Sequence, residues 1–255
     1  MPIIQSVERA LTILDLFNEY ETELKITDIS ERIKLHKSTV HSLLKTLQAH
    51  HYIEQNPENG KYRLGMKLFE RGQFVIQSMD LRPLAKPHLD KLSKETLQTV
   101  HLVILDGKEG VYIDKVEGVT SSALYSRIGR RIPIHCSAVG KALVAFKSSA
   151  EIEEILDGYE FVKRTDYTIT EKESFLKELE GVREKGYSRD QQENEPGVNC
   201  VAIPIYDYSK KVIAAISISS PFLRFNEKEI SMHIELLKRE AKELSKKLGY
   251  GCMDK

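Results

Sequence analysis

Tryptophan is missing from this chain, and cysteine is scarce: Cys136, Cys200 and Cys252 are scattered over 255 residues without CxxC spacing. An odd, dispersed set of thiols excludes a disulfide framework and a structural zinc site. Long apolar runs are absent too. None approaches the roughly 18 residues of a membrane span. The start, Met1-Pro-Ile-Ile-Gln-Ser-Val-Glu8, has neither the basic flank nor the apolar stretch of a secretory signal. A cytoplasmic protein with no membrane partner is expected. Net charge is lacking as well, with 38 Lys and Arg against 38 Asp and Glu. That is unlike a chain that binds polyanions along its whole length. The rest is an ordinary globular composition, 41% hydrophobic and 30% charged, and 255 residues suit two domains, each with its own core.

The neutral total hides a local imbalance. Residues 8–31 hold two basic and seven acidic side chains, a net −5; residues 32–67 hold seven basic and two acidic, a net +5. His36, His41, His50 and His51 fall in the second window. Within it, Val40, Leu43, Leu44 and Leu47 follow the i, i+3, i+4, i+7 spacing of a helix with one buried stripe. The opposite face carries Lys37, Ser38, Thr39, His41, Ser42 and Lys45, short hydrogen-bonding groups mixed with cations of the kind that reach phosphates and base edges. A short helix over Thr27–Ile33, with Thr27 as N-cap, precedes it. A hairpin follows, Tyr52–Gln55 and Lys61–Leu64 around Asn56-Pro-Glu-Asn-Gly60. Helix, turn, helix and hairpin spell a winged helix-turn-helix over residues 1–65. A first helix near Ser6–Asn18 places Val7, Ala10, Leu11, Leu14 and Phe17 on its inner face.

Residues 66–79 read as a linker helix, and 80–255 as a second domain. There a helix over Asp80–Thr96 carries Pro83 in its first turn and Pro87 where a kink is expected. Strands follow at Thr99–Leu105 and Val111–Val116, then at Ala123–Ile128. Ser137 caps a helix over Ala138–Phe146. Thr170 with Glu173, and Asn226 with Glu229, read as capping boxes. Further strands are expected at Tyr187–Gln191, Val201–Tyr206 and Val212–Ser219, before a final helix with Ile230, Ile234, Leu237, Ala241, Leu244 and Leu248 on one face. The fold class is therefore α+β, a winged helix-turn-helix followed by an antiparallel sheet flanked by helices.

The chain resembles the IclR family of bacterial transcriptional regulators. The likeness rests on Ser6-Val-Glu-Arg-Ala-Leu-Thr-Ile-Leu14, Lys37-Ser-Thr-Val-His41, Tyr62-Arg-Leu-Gly65, and above all Gly129-Arg-Arg-Ile-Pro-Ile-His-Cys-Ser-Ala-Val-Gly-Lys-Ala142. It continues in Gly186-Tyr-Ser-Arg-Asp190, Pro196-Gly-Val-Asn-Cys-Val-Ala-Ile-Pro-Ile205 and Ala214-Ala-Ile-Ser-Ile-Ser219. The resemblance implies a GAF-like effector domain, a dimer or tetramer, double-stranded operator DNA as partner, a small organic acid as effector, and no enzymatic activity. Repression is the sign implied by family habit. Ser42 stands where the family often has Arg, so the groove carries over but the bases read do not.

Candidate DNA contacts are Ser38, Thr39, His41, Ser42 and Lys45, with Asn59, Lys61 and Arg63 in the wing. For each, the alternative is an ordinary exposed position. The resemblance places Ala138, Val139, Asp190, Cys200, Ser217 and Ser219 in the effector pocket. Residue chemistry agrees: Ala138 and Val139 open a helix, where free amides favour an anion, and Ser217 and Ser219 lie two apart on a strand and face one way. Alternatives stand beside these. The serines could face solvent on an edge strand, Asp190 could serve a turn or pair with Arg189, and Cys200 could be a small core residue. His135 reads as a partner of a backbone carbonyl. A His135–Asp190–Cys200 nucleophile or metal site has no local signature, and Gly140-Lys141 lacks the glycine-rich stretch of a phosphate loop. No cofactor or metal is expected. A keto, sugar or aromatic acid would each fit the effector class.

Overall fold

The computed structural model describes residues 3–18, 20–77, 81–119, 126–221 and 226–251. The chain divides into two compact units, Met1–Met79 and Asp80–Lys255.

The first unit runs α1 (Gln5–Asp15), α2 (Ile26–Arg32), α3 (Lys37–Ala49), β1 (Ile53–Gln55), β2 (Tyr62–Leu64) and α4 (Met66–Gln77). Val40 and Leu44 of α3 are fully buried and join Ile13, Phe17, Leu24, Ile29, Ile53 and Tyr62 in one core. β1 and β2 pair antiparallel, Ile53 opposite Leu64. Leu24 exchanges two backbone bonds with Tyr62, which ties the segment before α2 to the wing. The α2–α3 turn is closed by Ser30 Oγ donating to Leu35 O at 2.6 Å. Two details differ from the sequence reading. The inner face of α1 is built on Ile13, with Ala10 and Leu14 partly buried, whereas Val7 and Leu11 are more than half exposed. Only the side of α1 turned to α3 is covered within this unit, so one of its two apolar stripes stays outside. Helix α2 begins one residue early, because Asp28, not Thr27, meets the leading amide: Lys25 N–H donates to its carboxylate at 3.4 Å.

The second unit holds α5 (Leu81–Thr96), β3 (Thr99–Asp106), β4 (Glu109–Val116), β5 (Arg131–Pro133), α6 (Ala138–Ala145), α7 (Ser149–Leu156), α8 (Lys172–Lys185), β6 (Ser188–Gln191), β7 (Val198–Tyr206), β8 (Val212–Pro221) and α9 (Glu227–Lys247). Its strands form one antiparallel sheet, in the order β5-β4-β3-β8-β7-β6. α6 lies across the sheet over a core of Val103, Tyr112, Ile132, Val139, Leu143, Ala202 and Ala215. Beyond it, α7 and α8 build a second layer around Phe175, Leu179 and Ile152. α5 and α9 also pack on the sheet, and Ser245 of α9 accepts from Tyr206 N–H at 3.0 Å.

α5 continues through Pro87 as one helix; its packing against β3, β4 and α9 outweighs the single hydrogen bond that proline removes. The Thr170 box does not form, since α8 starts at Lys172 with Glu171 at the cap position. At α9 only half of the reciprocal pair is present: Asn226 accepts from Glu229 N–H at 3.0 Å, while Glu229 Oε2 has no partner. Residues 120–125, which include the first half of the expected Ala123–Ile128 strand, lie outside the described residues; Ser126–Ile128 are not in a strand. Two elements go beyond the sequence expectations. β5 is three residues long, too short for a period to show, and α7 opens with the Ser148–Glu151 capping box.

Truncating Leu44 leaves a hole at the centre of the small first core, so Leu44→Ala is expected to cost roughly 2–5 kcal/mol. Chemical denaturation of the full chain checks this through the midpoint of the transition that reports the first unit.

Candidate DNA-reading face and ligand cavity

Burial of Val40 and Leu44 fixes the rotation of α3. Ser38, Thr39, His41, Ser42 and Lys45 are consequently all exposed on its outer side. Ser42 Oγ donates back to Ser38 O at 3.1 Å, leaving its lone pairs outward, and Thr46 does the same to Ser42 O at 3.0 Å. The wing residues are more committed. Arg63 pairs with Glu54 at 3.0 Å across the hairpin. Asn59 spends both polar ends internally: its amide donates to Glu23 at 2.8 Å and its carbonyl accepts from Lys61 N–H at 2.9 Å. Asn56 reaches the same Glu23 carboxylate at 2.9 Å, and these bonds hold the Glu23 carboxyl below the usual range. Asn59 thus shapes the wing tip, and Lys61, near enough to Glu23 to help hold its carboxyl down, makes no direct ion pair among the described residues.

The sheet register assembles the second site. Antiparallel pairing sets Asp190 opposite Cys200 and Cys200 opposite Ser219, in one row across β6, β7 and β8. The next row on the same face runs Ser188, Ala202, Ser217 and His101. Two-residue periodicity sends Ile216 and Ile218 to the other face. These rows end under the start of α6. Ser137 caps that helix, accepting from Gly140 N–H at 3.1 Å, so the amides of Ala138 and Val139 in its open first turn precede any intrahelical partner. A side chain at Gly140 would meet the Ile134 backbone at 2.4 Å. The missing side chain is what lets the start of α6 sit so close to the segment just after β5.

All six expected effector residues line one cavity, which opens to solvent. The serines are buried on a central strand, not on a solvent edge. Asp190 serves a turn and the cavity together: its Oδ1 accepts from Glu193 N–H at 2.7 Å, and Arg189 pairs with Glu227 instead. Sequence reasoning missed His101, Tyr112, Ser126, Arg130, Arg164, Asn194 and Glu195, which line the same space. Only Arg130 lay in a segment with a strong motif signal. The others reach the cavity through pairing and loop paths that no local pattern encodes.

The electrostatics are set by burial. Asp190 is pushed up to about 7 by desolvation and then by the Glu193 carboxyl. Desolvation, and secondarily Lys115, holds His101 down near 3. It is therefore a neutral ring, 2.8 Å from Ser126 Oγ and 3.4 Å from Ser219 Oγ. The Cys200 thiol is driven up by burial and by Asp190; its sulfur lies 3.1 Å from Ser219 Oγ. A protonated thiol beside a hydroxyl is a hydrogen-bonding wall, not a nucleophile. His135 bonds Tyr159 Oη at 2.7 Å and Val162 O at 3.2 Å, away from Cys200. Among the described residues no cluster of metal-ligating side chains occurs.

A helix-turn-helix with a wing, followed by this sheet and cavity, has a defined counterpart. Residues 6–57 match the IclR helix-turn-helix domain, and residues 73–246 match the bacterial transcriptional regulator IclR C-terminal domain. The chain belongs to the IclR family. It is 55% identical over 250 residues to the HTH-type transcriptional regulator XynR of Escherichia coli, a match spanning 98% of this chain and 99% of that one. The structure of the Thermotoga maritima IclR superposes with a TM-score of 0.79 at 35% identity, covering 96% and 99% of the two chains. An IclR homologue from Microbacterium hydrocarbonoxydans, complexed with 4-hydroxybenzoate, gives 0.81 at 26% identity, covering 95% and 98%. This IclR-family chain is a DNA-binding transcriptional regulator, a non-enzymatic protein with an α+β architecture. No described helix is long and apolar enough to cross a membrane.

Asp190 has a raised pKa in the fold, so its contribution to stability is fully present below the unfolded carboxyl value of about 3.9 and is lost as pH rises through about 7. Asp190→Asn removes the charge but keeps an acceptor for Glu193 N–H. Its melting temperature is expected to exceed that of the wild type at pH 8, with the gap narrowing toward pH 5, as thermal scans across that range would show.

Proposed function

We propose that this regulator is a cytoplasmic homo-oligomeric repressor whose operator affinity is tuned by a small organic acid bound in the second-unit cavity. The observation that carries the ligand reading is the convergence of Asp190, Cys200, Ser217 and Ser219 with the α6 N-terminus in one cavity that Arg130 and Arg164 also line. Two open amides and the Arg164 guanidinium supply a carboxylate site, with Arg130, which also faces Glu195, beside them. Buried hydroxyls and Asp190 supply donors and acceptors for further polar groups. The 4-hydroxybenzoate held by the Microbacterium relative is a small carboxylic acid. An unsubstituted ring would press carbon against Ser217, at about 1–3 kcal/mol for an unmade bond, while Ser219 stays with Cys200 and His101 and Asp190 with the Glu193 N–H. Acids bearing hydroxyl or keto groups therefore suit the lining better.

For DNA, the exposed row Ser38, Thr39, His41, Ser42 and Lys45 enters the major groove, with Lys61 at the backbone. Two copies present two such helices, which favours a palindromic site with half-sites about 34 Å apart or a multiple of that. Repression needs only occupancy of promoter DNA, whereas activation would need an added polymerase-contacting surface. Effector binding shifts the population between forms of different operator affinity, and by linkage DNA alters effector affinity by the same factor.

A thermal-shift panel on the full chain tests the sensing reading. Saturation near 100 times Kd is worth about 2.7 kcal/mol, so hydroxylated and keto acids such as gluconate and pyruvate are expected to raise the melting temperature more than benzoate, and Ser217→Ala to weaken the effective acid about 2- to 10-fold. If no acid in a broad panel stabilises the protein or changes its release from DNA, the sensing reading fails. Lys45→Ala is expected to weaken operator and random DNA alike and to flatten the slope of log affinity against log salt by about 1; an unchanged slope in a titration over salt removes Lys45 from the contact set.

A further inference from the structure

Beneath the cavity lies a charge that the ligand reading does not use. Lys141, one turn along α6 from Ala138, is 1% exposed and heads the fully buried side chains by size. Its ammonium donates to Glu193 at 2.7 Å, to Arg189 O at 2.9 Å and to Glu178 of α8 at 3.3 Å. All three donor positions are filled from inside the protein, so this lysine has none left for a ligand.

Its partners matter because of what they carry. Glu193 begins the turn that brings Asn194 and Glu195 to the cavity wall, and its own N–H is bonded to Asp190. Gln192, just before it, sits at φ 64°, a left-handed conformation that a non-glycine residue keeps only when its surroundings enforce it. Thr165 and Thr168 grip the same turn from outside, donating to Gln192 O and Glu193 O at 2.7 Å each. Arg164, another cavity residue, precedes them and donates its N–H to Thr168 Oγ1 at 3.1 Å. The wall segments thus meet at the backbone of Gln192 and Glu193, and Lys141 pairs with the Glu193 carboxylate.

We propose that Lys141 is the positioning residue of the cavity: its buried ammonium holds residues 190–195, and with them Asp190, Asn194 and Glu195, against the first turn of α6. The proposal rests on the ligand reading only in treating these residues as the walls of a binding site. The groups facing Lys141 are Glu178 from α8, Asp190 and the Arg189 carbonyl from β6, and Glu193 from the turn. Cys136 and His135 approach from the segment before α6, and Arg164 from the 157–171 connection. Burial keeps His135 low and the Cys136 thiol up at about 12, so neither carries charge near neutrality. The compensation is therefore between Lys141 and the carboxylates.

Lys141→Met keeps the apolar stem and removes the charge. Glu193 and Asp190 are then buried without a cation, and both favour the protonated form more strongly. A carboxyl raised further in the fold withdraws stability as pH rises, so the deficit of Lys141→Met against wild type is expected to grow from pH 5.5 to 8.5. Amides of 190–197 should exchange about tenfold or more faster at pH 7.5, while β7 and β8 stay protected. Lys141→Arg should recover most of the wild-type pH profile. The double variant Lys141→Met with Glu193→Gln should flatten it, and it serves where Lys141→Met alone does not fold. A loss of equal size at every pH in both Met and Arg variants means packing alone, and overturns the proposal. So does a Met variant with wild-type exchange in 190–197, or a double variant no better than the single one. None of these readouts involves effector, so a failed acid panel and a failed lysine role remain separate results.

Discussion

Antiparallel register is the constraint on which the second-unit cavity depends. Asp190, Cys200 and Ser219 stand in one row because β6, β7 and β8 pair at that offset, and Ser217 with His101 forms the next row. A slip of one residue in β8 would turn both serines to the opposite face and bring Ile216 and Ile218 under α6. The apolar demands of that other face hold the register: Ile216 and Ile218 are fully buried. The polar site is thus specified by greasy residues that never touch it.

In the first unit the equivalent constraint is the two-sidedness of α3. Val40 and Leu44 can be buried only by turning Ser38, Ser42 and Lys45 outward, so packing and presentation are a single fact. Charge is handled locally. Arg32 is paired with Glu21 and Arg63 with Glu54, and the net positive window therefore offers fewer open cations than its composition implies. On the proposed reading, a chain with zero net charge binds DNA through a small face, with affinity from a few phosphate contacts and discrimination from short hydroxyls.

Sequence legibility followed the range of the interactions. The stripe on α3, the wing turn, the Ser137 cap and the central strands were readable because each repeats a local period or uses a short-range bond. Six cavity residues came from family likeness, with chemistry in support. His101, Tyr112, Asn194 and Glu195 were not legible, since their membership depends on strand pairing and on a turn after β6. The outward turn of Val7 and Leu11 was illegible for another reason: α1 carries apolar residues on two sides, and sequence alone does not say which side meets α3. Pro87 shows tertiary packing overriding a local rule, and Asn59 shows a polar wing residue used for shape.

Lys141 presents the sharpest contrast between pattern and physics. Next to Gly140 it looks like half of a phosphate motif, and the missing glycine stretch dismisses it. The fold then places it where a lysine is least expected, fully enclosed. An enclosed ammonium persists only with its donors filled and its charge matched, and here the matching groups belong to the cavity walls. An apolar side chain of similar length would fill the same volume, but it would leave Asp190 and Glu193 without the cation that now faces them. A charge in that position is thus explained by what it keeps in place: the acid-bearing wall of a site whose other wall is the open end of the same helix.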